Sequence, residues 1–206
     1  MKETSSLPNP DKKTIEKYLA LFEKDEKAKH LDKTISKVIR KFPKNDNLED
    51  IIIKICIINK LYSTNIFSVY NLAKHISTLN FDEAILKTDY SIVNRIATGH
   101  GIKPFKKGGD EKKEYIFYSF ATKYCSWHDQ FNFPIFDSNI DLVLRKYNVE
   151  NKYVSEGNFR NYENLVNTLK SFRNKHNLKN YSLKEIDKFL WYLGGEIKEN
   201  MKNEKL

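Results

Sequence analysis

The chain has 206 residues, 40% apolar and 13% aromatic, which is enough for one full hydrophobic core or two intimate lobes. Thirty-six Lys and Arg against 27 Asp and Glu leave a net charge of +9, a balance that favours a polyanionic partner such as nucleic acid. A disulfide framework and a membrane span are excluded: the cysteines are Cys56 and Cys125, both in apolar helical patterns, and the longest apolar run, IIIKICII, is broken by Lys54.

MKETSSLPNP reads as a flexible polar lead-in over residues 1–10 with no apolar leader, and a cytoplasmic protein is expected. Residues 11–206 read as a single all-α domain. Ile15, Tyr18, Leu19 and Phe22 predict a first helix over 11–22, and a basic helix follows over 26–41, stopped by Pro43 and NDN. Leu48 to Leu61 is apolar on nearly every face and predicts a largely buried helix, with Cys56 in the core. After STN a helix is expected over 66–78, then short ones over 82–87 and 89–98, the last stopped by TGHG.

Residues 99–113 hold four of the seven glycines and five lysines, so this segment is a basic loop or hairpin, with Lys103, Lys106 and Lys107 suited to phosphate contacts, the alternative being a solvated surface loop. A helix is predicted from Glu114 to Trp127, and an aromatic passage then leads to FPIFDSNID. There Asp137 has the form of an N-cap opening a helix to about Tyr147. Helices over 158–175 and 182–199 close the chain, and no segment alternates as a strand does.

Cys125 and His128 form a C-x-x-H pair, but a structural zinc site needs a second pair, so no metal is expected. Cys125 reads as core rather than as a nucleophile. KKGGDEKK lacks the strand before it and the Lys-Ser/Thr after it that a phosphate-binding loop requires.

The order of parts is a basic turn region, a helix, an aromatic loop and an aspartate at the next helix start. In this order, with PIFDSNI, YSTNI and EIDKFLWYLGG, the chain resembles the helix-hairpin-helix DNA glycosylase superfamily, in particular its divergent members with the 8-oxoguanine glycosylase fold. The resemblance implies two helical lobes around a central cleft, with Asp137 as the catalytic aspartate. It also implies DNA contacts from Tyr62, Ser63, Thr64 and Asn65, with Tyr62 as a wedge into the base stack, and from Ser138 and Asn139.

Ser119, Trp127 and His128 would line the base pocket. Bifunctional members carry a nucleophilic lysine where Tyr118 and Ser119 stand here; Lys123, one turn beyond Ser119, is the nearest substitute, against the alternative of a solvent-facing lysine. The Gly-x-Gly hairpin pattern is absent from GIKPFKKGGDEKK, and there is no cysteine cluster for iron and sulfur. The implied function is cofactor-free hydrolytic removal of a modified or damaged base. The alternative is a glycosylase-fold DNA-binding protein without catalysis that recognises unusual bases or DNA structures.

Overall fold

A computed structural model describes residues 7–103, 113–153 and 157–204, and among these the chain is all-α. The helices are α1 (Lys12–Lys24), α2 (Glu26–Lys41), α3 (Leu48–Tyr62), α4 (Val69–Ile76) and α5 (Phe81–Leu86), then α6 (Ser91–Ala97), α7 (Tyr118–His128), α8 (Ser138–Asn151), α9 (Tyr162–Lys175) and α10 (Leu183–Asn203). They divide into two compact units, one formed by the chain up to Glu26 together with Phe136 onward, the other by Lys27–Ile135.

In the first unit α10 is the central element, packing on α8, α1 and α9. Its Leu183, Ile186, Phe189, Leu190 and Leu193 recur at helical spacing and are buried, as are Ile140, Val143, Leu144 and Tyr147 of α8. Ser182 and Glu185 start α10 with a reciprocal capping box, Asn161 caps α9 through the amide of Asn164, and Asp11 caps α1 through that of Thr14. Each such cap contributes about 1 kcal/mol.

Gly194 sets how closely α10 and α8 approach: a Cβ there would lie 2.6 Å from the Asn139 carbonyl oxygen and 2.8 Å from its Cα. Asn139 Nδ2 then donates to the Trp191 carbonyl at 3.1 Å, tying the first turn of α8 to α10. The LGG sequence thereby holds the residues next to Asp137 in place.

In the second unit α7 packs on α6 and α3, and α3 on α4. Tyr118 and every residue from Phe120 to Trp127 are buried, including Thr122, Lys123 and Ser126. A polar network crosses this core. Lys54, fully buried, donates to the Lys44 carbonyl (2.6 Å) and to Asn45 Oδ1 (2.7 Å), while Asn45 donates from its backbone and side chain to Asp82 (3.0 and 2.8 Å). Tyr124 donates its hydroxyl to the same Asn45 oxygen at 2.5 Å. Burial lowers the Lys54 pKa to about 8, against the opposing pull of Asp82, Asp50 and Asp46.

The helix expected over 66–78 starts only at Val69, because the Ile66 amide and carbonyl are both held by the Asn59 side chain and Ser68 takes the N-cap place with a non-helical backbone (φ −109°, ψ 70°). The helix expected from Glu114 starts at Tyr118: the amides of Tyr115 and Phe117 donate instead to the carbonyls of Ile102 and Ala97, both at 3.0 Å. The helix expected from residue 158 starts at Tyr162, behind the Asn161 cap. Cys56 is exposed rather than core, whereas Cys125 is buried.

Candidate functional site

The candidate residues divide between the two units. In the first, Asp137 is the N-cap of α8, and its Oδ1 accepts from the amides of Asn139 (2.8 Å) and Ile140 (3.1 Å). The carboxylate is half-buried, and its second oxygen, Oδ2, takes no part in the cap. Ser138 is exposed and its Oγ receives Lys198 Nζ at 2.7 Å, so a hydroxyl and a cation from α10 stand next to the aspartate in the chain. Lys198 was not legible as a site residue, because its nearness to Ser138 comes from the α8–α10 packing. Asn139 uses its amide on Trp191, a packing role rather than a free donor.

In the second unit Lys123 is buried at 3% exposure, which removes the solvent-facing alternative. Its ammonium donates to Ser119 Oγ at 2.7 Å and stands 5.3 Å from the centre of the Tyr62 ring. Trp127 Nε1 donates to the Tyr62 hydroxyl at 3.2 Å. Ser119, Lys123, Tyr62 and Trp127 thus form one cluster of a cation, a hydroxyl and two aromatic rings. Tyr62, half-buried and engaged at both ends, is held within this cluster instead of projecting as a wedge.

His128 packs against Phe81 and Tyr124, with ring centres 4.8 and 5.3 Å away. Burial first, and then the Lys54 charge, push its pKa down to about 3, so the imidazole is neutral. Burial also raises the Cys125 thiol far above its ordinary value, so at neutral pH it stays protonated.

Ser63 and Asn65 are exposed and Thr64 is half-buried on the α3–α4 connection, and Lys103 is exposed. Lys106 and Lys107 lie outside the described residues. Gly99-His100-Gly101, read as a helix stop and the start of the basic loop or hairpin over 99–113, is itself a Gly-x-Gly turn with positive φ at both glycines (80° and 70°). The Glu114 carboxylate accepts from both glycine amides, at 2.9 Å for Gly99, and lies 3.1 Å from His100 Nδ1. Desolvation raises the Glu114 pKa, but the two amides and the neighbouring histidines outweigh it and the net shift is downward. The signal was the spacing of two glycines around one residue at a helix end, followed by a carboxylate across the loop.

No helix among the described residues is long and apolar enough to cross a membrane. A family model named HI_0787_N, described as an N-terminal domain, matches residues 14–132, a span that includes Tyr62, Ser119, Lys123 and Trp127 and ends before Asp137. An uncharacterized protein of Haemophilus influenzae (strain ATCC 51907 / DSM 11121 / KW20 / Rd) is 36% identical over 159 residues, covering 76% of this chain and 72% of that protein. No solved structure matches. On the extent of these two matches, the chain belongs to the HI_0787_N family.

Proposed function

We propose that the protein is a monofunctional DNA glycosylase that removes a modified or damaged base by Asp137-assisted hydrolysis of the N-glycosidic bond. The observation that carries this reading is the asymmetric fixing of Asp137: two amides orient the carboxylate through Oδ1, and the cap leaves Oδ2 for other work. A carboxylate held in one orientation stabilises the positive charge that develops on the sugar as the bond to the base breaks. The same group orients a water whose oxygen bonds to the anomeric carbon. The base departs with the bonding electron pair and takes up a proton, and the water loses one.

Ser138, with Lys198 donating to it, offers a positively charged anchor for a phosphate next to that sugar. Lys123 is the second catalytic candidate, a desolvated cation oriented by Ser119 and Tyr62. Neither role calls for a metal or a cofactor.

A DNA-binding protein of similar architecture without catalysis is the second reading. It is favoured by the enclosure of Lys123 and by Glu114, which occupies glycine amides that would otherwise suit a phosphate. Base release from DNAs carrying different modified bases, measured for wild type and Asp137→Asn, tests the first reading against the second. Release that depends on Asp137 supports the glycosylase; tight, salt-sensitive DNA binding without product from any base supports the non-catalytic reader.

A further inference from the structure

The connection between α3 and α4 is held from within by one side chain. Asn59 Oδ1 accepts from Thr64 Oγ1 and from the Ile66 amide, both at 2.9 Å, and its Nδ2 donates to the Ile66 carbonyl at 3.0 Å. The Thr64 amide closes back on the Asn59 carbonyl at 3.2 Å, and Ile66 is buried as the anchor. The turn is therefore preorganised before any partner arrives.

What this turn presents is Phe67, 82% exposed. Phe67 precedes the N-cap Ser68, a position from which an apolar residue ordinarily packs on the fourth helical residue, here Leu72. Leu72 is fully buried, yet Phe67 does not cover it and stands in solvent. Tyr70, in the first turn of α4, is 58% exposed. Two aromatic rings are thus displayed within four residues of chain by a turn that could have buried the first of them.

Charge identifies the occupant. The packed helices α3, α4, α6 and α7 carry carboxylates only at Glu49 and Asp50, in the first turn of α3. Helical rise puts Asp50 about 18 Å along the axis from Tyr62, at the opposite end of α3 from the turn. Lys60 before the turn and Lys74 after it are both exposed. Exposed rings flanked by cations, at the opposite end of α3 from its two carboxylates, match an anionic chain that offers flat apolar faces. A duplex covers those faces by stacking, whereas an unpaired nucleotide leaves them open.

We propose that Phe67, assisted by Tyr70, is a stacking platform for an unpaired nucleobase, with Lys60 and Lys74 meeting the flanking phosphates. The platform rests on the nucleic-acid part of the proposed function and is independent of base excision. It names single-stranded or locally unpaired DNA as the form the protein holds.

The test uses the full chain with a short DNA single strand carrying 2-aminopurine, and with the corresponding blunt duplex, at about 50 mM salt, where phosphate contacts are strong. The single strand is expected to bind more tightly than the duplex and its 2-aminopurine fluorescence to be quenched. Phe67→Ala is expected to weaken single-strand binding by roughly 5- to 150-fold, the range that loss of one base stack gives. Phe67→Trp is expected to restore it. Because Phe67 is 82% exposed, unchanged thermal unfolding of both variants shows that folding is not the cause.

Wild-type affinity in Phe67→Ala, with binding lost in Lys60→Ala/Lys74→Ala, would overturn the stacking role and leave the nucleic-acid reading standing. Absence of binding to either DNA would overturn both. Phe67-dependent binding to anionic phospholipid vesicles without DNA binding would assign the surface to a membrane and also overturn the proposal.

Discussion

Gly194→Ala is expected to destabilise the protein although alanine is the better helix former. A Cβ at this position would lie 2.6, 2.7 and 2.8 Å from the carbonyl oxygen, Cβ and Cα of Asn139, two of them backbone atoms that cannot rotate away. The first turn of α8 must then move off α10, weakening the bond from Asn139 to the Trp191 carbonyl. Overpacking of this kind costs about 3 kcal/mol at the upper end of its range, and helix propensity returns about 1 kcal/mol. The net loss of about 2 kcal/mol corresponds to a fall in Tm of roughly 4–8 °C for a chain of this size. Gly195→Ala is the control, since the nearest atom to its Cβ is Asn139 Nδ2 at 3.7 Å, an ordinary contact. That variant is expected to gain up to about 1 kcal/mol. Thermal unfolding followed by circular dichroism reads both; if Gly194→Ala melted at or above the wild-type temperature, the close approach of α8 and α10 would be refuted.

Asp137→Ala is expected to lose about 1 kcal/mol from the α8 cap, while Asp137→Asn keeps that stability within a few tenths, as denaturant titration would reveal. His128 contributes a pH dependence whose sign follows from its depressed pKa. The unfolded chain takes the proton near pH 6.5 and the folded chain resists until about 3, so stability is complete above 6.5 and falls with acidification through that window. The slope is at most about 1.4 kcal/mol per pH unit, and His128→Phe is expected to lack this contribution in denaturant titrations from pH 7 to 4. Lys54, lowered to about 8, gives a rise in stability between about pH 8 and 10, because the unfolded chain still binds the proton that the folded chain has released. Equality of wild type and Lys54→Met in that slope would contradict the burial of the ammonium.

The helices were legible wherever a local signal marked their ends. The α2 bounds match the expectation over 26–41, and the caps at Asp11, Asn47 and Ser182 stand directly before their helices, whereas the Asn161 cap went unread and α9 was expected to start at 158. Glu114 to Phe117 was misread because EYIFY has helical apolar spacing, while its backbone amides are claimed by Ala97 and Ile102 across a loop. Cys56 was misplaced for a related reason: α3 is apolar on most faces, so the pattern could not select the side, carrying Ile53 and Cys56, that stays exposed. Asp137 could be read from its cap sequence alone. The partners of Lys123 could not, since the Tyr62 ring and the Trp127–Tyr62 bond join segments far apart in the chain. Phe67 was hidden for the opposite reason, because an apolar residue before a helix ordinarily packs on it.

The most direct test of the central claim is release of free base from a panel of DNAs, each with one modified base, followed by alkali to cleave abasic sites. Wild type and Asp137→Asn are compared at matched folded concentration. The account predicts an alkali-labile product from wild type with at least one modified base and its loss in Asp137→Asn, with DNA binding retained. Full product from Asp137→Asn, or none from wild type on any base despite tight DNA binding, would contradict it.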